Sequence, residues 1–169
     1  MKFIQPFSIN TKMLTLSVAL VVPCATLAAV GDCFEQAGQR YGIAPVVLRA
    51  IAMQESGGDA FALNNSNSNG SVDIGMMQIN SRWLDQLAHH GISEQALWEP
   101  CINIHVGAWI LANNIILYGN TWAAVGAYNA GTAARMAERR EAYARKIADR
   151  ADRLNSRDAA DGLQYTTAQ

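Results

Sequence analysis

The run from Cys101 to Tyr118, CINIHVGAWILANNIILY, limits the fold more than any other stretch. It is long enough for about five helical turns, and apolar side chains occupy nearly all of its sides. A surface helix needs only one apolar stripe, whereas a helix apolar all round must be enclosed by protein. The chain is therefore expected to place this segment at its centre, end it at Gly119, and wrap the other elements around it. With 169 residues, one domain is enough to do so.

The surrounding sequence reads as short helices with one small β element among them. Asp32–Tyr41 is expected to be a short helix with Asp32 as its N-cap and Gly42 as its stop. Pro45 suits the first turn of the next helix, which continues through VVLRAIAMQES to Gly57-Gly58. NNSNSNG, from Asn64 to Gly70, is turn chemistry and marks the tip of a loop or small hairpin. SVDIGMMQIN then returns the chain to the core. Ser81 is expected to cap a helix reaching His90, and Thr121–Asn129 to form another short helix before Gly131. Arg135–Asn155 is alanine-rich with alternating charge, the pattern of a solvated helix. The last dozen residues lack anchors. The expected class is mainly α, an α+β fold with one small β hairpin.

The N-terminus has a different logic. Lys2 and Lys12 precede ten apolar or small residues, Met13–Val22, followed by Pro23 and the small-residue pattern Thr26-Leu27-Ala28. This is the layout of an export signal, and ten residues fall short of the ~20 that a bilayer span needs. Cleavage is expected after Ala28, or one residue later, leaving no stable membrane anchor. The chain then divides into residues 1–28 as signal, 29–132 as the folded domain, and 133–169 as a charged C-terminal helix and loose tail.

Export also fixes the cysteine arithmetic. Cys24 leaves with the signal, and Cys33 and Cys101 remain in an oxidising compartment, where they are expected to pair. The alternative is two free buried thiols. Their spacing of 68 residues does not suit a metal site.

After cleavage 11 basic and 14 acidic residues remain. The whole chain carries a formal charge of −1, which argues against a general nucleic-acid binder. Residues 133–169 hold eight of the basic residues, so this segment could meet an anionic glycan, a membrane surface or a partner, though its interspersed acids favour a plain solvated face.

Glu55 is the residue out of place. Leu48, Ile51 and Ala52 lie seven, four and three positions before it, so the carboxylate shares their apolar face. Burying it costs several kcal/mol unless it is paired or protonated (roughly, on transfer scales). Arg49, the only nearby base, is on another face. Glu55 is either a structural carboxylate bonded to its surroundings or a general acid whose apolar walls keep it protonated. Asp73 follows eighteen residues later, across the polar loop. A helix–hairpin arrangement could bring both carboxyls to one cleft, the kit for glycoside cleavage; Asp73 could equally be a turn residue holding the loop.

MQESGG, NGSVDIGMMQIN and AYNAG, in that order and at that spacing, resemble the lysozyme-like lytic transglycosylases. More closely, they resemble the small exported members that accompany conjugation and type III or type IV secretion systems. The resemblance runs from about Cys33 to Gly131, and GSVDIGMMQINSRW is also similar to the c-type lysozymes. It implies Glu55 as the single catalytic acid/base, with Ser56 beside it as an orienting residue. Gly75, Met76, Met77 and Gln78 would line the sugar groove, where Gln78 and Asn80 bond sugar or fix the loop. Tyr128, Asn129 and Gly131 would form the third motif, with Tyr128 reaching towards Glu55. Tyr143 resembles a later tyrosine of the family. The implied substrate is the peptidoglycan glycan strand, with no cofactor, and the implied partners are subunits of a conjugation or secretion machine. Asp73 departs from the larger members and keeps open a lysozyme-type hydrolase using Glu55 and Asp73. A non-catalytic glycan-binding secretion subunit is a further alternative.

His89, His90 and His105 lack metal-ligand spacing. Trp109 and Trp122, in apolar runs, are expected in the core, and Trp83 either in the core or stacked on sugar.

Overall fold

A computed structural model describes residues 25–167, with side chains over residues 33–160. The expected signal lies outside these residues apart from its last four, 25–28. The helix α4 (Pro100–Tyr118) occupies the centre. Pro100 supplies a preset first turn, the Glu99 carboxylate accepts from the Ile102 N–H at 3.1 Å, and Gly119 ends the helix at φ 71°. Its interior face carries Ile104, Val106, Ala108, Ile110 and Leu111, all buried. The last turn departs from the expectation, because Ile116 and Leu117 are exposed.

Helix α1 (Ala25–Tyr41) packs on α4, and Cys33 is disulfide-bonded to Cys101 at the start of α4. Asp32 lies inside α1 rather than capping it, since the helix already begins at Ala25 and runs through Gly31. Helix α2 (Pro45–Glu55) buries Leu48, Ala50, Ile51 and Ala52 and stops where Gly57 and Gly58 take positive φ.

The β element is one strand larger than a hairpin. Strands β1 (Leu63–Asn64), β2 (Asp73–Ile74) and β3 (Ile79–Asn80) form an antiparallel sheet in the order β1-β2-β3. Asn64 pairs with Asp73, and Asp73 with Asn80. The extra strand arises because Gly75–Gln78 closes a tight turn, with the Gln78 N–H donating to the Gly75 carbonyl at 3.0 Å. A short 3₁₀ turn, Ser81–Trp83, leads into α3 (Leu84–Ala88). The cap of that turn is Asn80, whose side chain accepts from the Arg82 N–H. Ser81, expected as the cap, instead accepts from the Val72 N–H.

Helix α5 (Trp122–Ala130) and helix α6 (Ala137–Thr167) complete the fold. Gly126 allows their close approach: a Cβ there would stand 2.2 Å from the Arg140 carbonyl oxygen. Two expectations change here. Trp122 is 48% exposed rather than in the core, because it sits at the first turn of α5. The helix read as solvated buries Tyr143, Ala144, Ile147 and Ala151 against α2 and α5, and its backbone remains helical to Thr167. The whole is a mainly helical domain with a small antiparallel sheet and one disulfide, as the sequence led us to expect.

Candidate active site

The end of α2, the sheet and α5 enclose a polar groove of about 290 Å³, into which Glu55, Asp73, Gln78 and Asn129 face. Glu55 projects from the last residue of α2, so the helix backbone sets its position and the two glycines behind it leave room. The Tyr143 hydroxyl, from α6, donates to Glu55 Oε1, and the Asn129 side chain from α5 also bonds this carboxyl.

Burial, chiefly, raises the Glu55 pKa above the usual carboxylate range; the nearby Asp73 charge adds to this, while the bonds from Tyr143 and Asn129 pull it down. The result is a carboxyl poised to keep or regain its proton closer to neutrality. Tyr143 and Tyr128 are pushed upward, mainly by burial and then by the Glu55 charge. Both therefore remain neutral hydrogen-bond donors.

Asp73 occupies the middle strand and accepts three amide bonds. Asn64 and Asn67 donate to Oδ2 at 2.8 and 2.9 Å, and Asn80 donates to Oδ1 at 2.6 Å. It ties the polar loop to the sheet, the turn role considered for it, and lines the same groove as Glu55.

Several residues stand differently from the expectation. Tyr128 lines the groove but donates to the Met77 carbonyl at 2.9 Å rather than to Glu55; Tyr143 is the tyrosine that reaches the acid. Ser56 Oγ donates to the Met76 carbonyl at 2.7 Å and accepts from the Gly58 N–H, so it holds the turn behind Glu55. Met76 and Met77 are buried and cannot line a sugar groove with their side chains; apolar side chains beside the central helix are drawn inward. A Cβ on Gly75 would lie 2.4 Å from the Asn103 side chain, so Gly75 too is a packing position. Of that segment Gln78 alone is in the groove wall, held by bonds from its Nε2 to the Gly75 and Ala62 carbonyls. It is also the one non-glycine residue with positive φ among the described residues. Gly131 caps α5, and its carbonyl accepts from Arg140.

Asn103 went unremarked in the sequence. Fully buried on α4, it accepts from the Met77 N–H at 2.7 Å and donates to the Ile74 and Leu97 carbonyls. It carries the turn on which Gln78 rides. A polar side chain in a mostly apolar helix was the available signal, similar to the one that marked Glu55.

Trp83 forms part of the groove wall and meets Trp109 edge-on at 5.5 Å. Behind it His90 stands edge-on to Trp109, and His105 edge-on to Tyr41. Among the described residues no three His, Cys, Asp or Glu side chains gather as a metal would require.

A carboxyl with a raised pKa, opening on a polar groove between a helical body and a small sheet, defines the class: a glycan-cleaving enzyme of lysozyme-like architecture. The chain belongs to the transglycosylase SLT domain family, which matches residues 32–151, and is by class a peptidoglycan lytic transglycosylase. Over 117 residues it is 45% identical to Protein IpgF of Shigella sonnei, covering 69% of this chain and 76% of that one. It is 47% identical to Invasion protein IagB of Salmonella typhimurium over 117 residues, 69% of this chain and 72% of the relative. X polypeptide of Escherichia coli is 43% identical over 121 residues, 69% and 70% of the two chains. Among solved structures, an inactive mutant of lytic transglycosylase Slt from Pseudomonas aeruginosa shares the fold with a TM-score of 0.55 and 24% identity. That match covers 73% of this chain and 24% of the other, about a quarter of the larger protein.

Proposed function

We propose that the protein cleaves the β-1,4 bond between N-acetylmuramic acid and N-acetylglucosamine and leaves 1,6-anhydromuramic acid ends. Protonated Glu55 gives its proton to the glycosidic oxygen as the bond to the anomeric carbon breaks. The carboxylate then takes the proton of the 6-hydroxyl of the same muramic acid, whose oxygen closes on the anomeric carbon. An internal nucleophile has a high effective concentration, so one carboxyl can serve both steps. The observation that carries this reading is the Glu55 carboxyl itself, raised in pKa by burial and open to the groove.

Gln78, Asn80 and Asn129 are the groove residues suited to bond sugar hydroxyl and acetamido groups, with Tyr128 setting the wall behind them. Ser56 would support that wall through its hydroxyl, and Gly75, Met76, Met77 and Gly131 through their backbone. Tyr143 orients and tunes Glu55, so the helix of residues 133–169 works with the 29–132 domain as one catalytic unit.

The protein would act in the periplasm after loss of residues 1–28 and open the wall locally for a conjugation or secretion machine. Support for this setting comes from the N-terminal pattern, the disulfide, and relatives of which one is named an invasion protein. Asp73 facing the same groove favours one second reading, a hydrolase using both carboxyls.

Zymography on purified murein tests the assignment. The wild type should clear a zone and Glu55→Gln should not, while Asp73→Asn should lose activity only in part. Clearing by Glu55→Gln would refute Glu55 as the acid, and loss at Asp73→Asn as complete as at Glu55→Gln would favour the hydrolase.

A further inference from the structure

The packed stripe of α6 contains a cation. Tyr143, Ile147, Arg150 and Leu154 stand at intervals of four, three and four residues and therefore share one face. Tyr143 and Ile147 are buried, and Leu154 packs on the core. Arg150, half-buried among them, donates from Nη2 to Gln54 Oε1 at 3.1 Å. Its Nε is buried without an acceptor, and no carboxylate lies within 4 Å of its guanidinium among the described residues. A guanidinium on an apolar stripe, left partly unsatisfied and without a counter-ion, is a poor choice for stability alone.

Its position suggests another use. Gln54 and Glu55 are adjacent on the last turn of α2, and α6 grips both, Gln54 through Arg150 and Glu55 through Tyr143. We propose that Arg150 is a positioning residue for Glu55: it fixes the last turn of α2 through Gln54 and polarises the Tyr143 hydroxyl that donates to the acid. This inference rests on the reading of Glu55 as the acid.

The surrounding charges leave that role to Arg150. From α2, Arg150 meets Gln54, Glu55 reaches α6 through Tyr143, and Arg49 is paired with Glu35 on α1. From α5 the titratable group is Tyr128, and α5 carries no charged side chain. Asp73 of β2 acts on Glu55 in the opposite sense, raising its pKa. On α6, Lys146, Asp149 and Arg153 are exposed and Asp152 likewise. Arg150 is the cation that lowers the Tyr143 pKa, against burial and Glu55. A more acidic hydroxyl donates more strongly, and so steadies the Glu55 carboxylate.

The sign follows. Glu55 must be protonated to act as acid, so activity falls as pH rises through its pKa. Loss of the Arg150 charge raises that pKa and moves the alkaline limb to higher pH.

The test is the pH profile of wild type, Arg150→Met and Arg150→Lys on soluble glycan fragments of murein, with Glu55→Gln as control and melting curves for each. Arg150→Met should lower kcat about tenfold, leave KM within about twofold, and move the alkaline limb up by about half a unit. Arg150→Lys, which keeps the charge, should return the limb to its wild-type position. Should Arg150→Met fail to fold, Arg150→Gln, which keeps a donor for Gln54, serves in the same comparison. A limb unmoved in the folded neutral variant, or moved equally by lysine, overturns the proposal. Activity in Glu55→Gln would overturn the underlying assignment instead.

Discussion

Burying the Glu55 carboxyl in a groove wall affects stability as well as rate. A group whose pKa is raised by folding favours the fold while it is protonated in both states, and that contribution is lost as pH rises through the folded value. Glu55 is raised, so at alkaline pH its ionised form weakens the fold. Glu55→Gln is accordingly expected to lower the rate by about 10³ or more and yet to melt about 3 °C higher at pH 8. Scanning calorimetry should show the gain disappearing under acid conditions, where wild-type Glu55 is protonated in both states. Tyr143→Phe removes a bond that lowers the Glu55 pKa; its alkaline limb should move upward in a pH–rate profile, with kcat down about tenfold. Glu55 was legible in the sequence because its apolar neighbours at helical spacing make a carboxylate conspicuous. Tyr143 was less so, since alanines separate the large residues of its stripe and charges fill the gaps, making the helix look solvated.

The turn from Ile74 to Ile79 depends on α4 for its backbone bonds. Asn103 satisfies the Met77 N–H and the Ile74 and Leu97 carbonyls, all three buried bonds. Asn103→Ala leaves all three without that partner and should cost about 3 kcal/mol or more in urea unfolding, a larger loss than an exposed asparagine would show. Element types followed from hydrophobic period and from the glycines and prolines between, which is why α2, α4 and α5 were readable. Two-residue strands carry no alternation, so the third strand could not be read. The cap at Asn80 was hidden for a different reason: Asn80 and Ser81 are both good caps, and only the bond from the Val72 N–H, a residue distant in sequence, diverts Ser81.

Across the whole molecule, α1 and α4 are joined by the disulfide, and α6 is drawn onto α2 and α5. A covalent loop of 68 residues should contribute roughly 4 kcal/mol in the chain-entropy view, so Cys33→Ser/Cys101→Ser should unfold at clearly lower denaturant concentration. The class of fold and the carboxyl set on an apolar helix face at Glu55 were open to reading because each rests on local pattern. The pairing of Glu55 with a tyrosine 88 residues away depends on how α6 returns, which no local pattern encodes. The most direct measurement of the whole account is mass spectrometry of the fragments released from purified murein. The wild type should release fragments ending in 1,6-anhydromuramic acid, one water lighter than reducing ends, and Glu55→Gln none; fragments with reducing ends from the wild type would mean that water, not the 6-hydroxyl, closes the reaction.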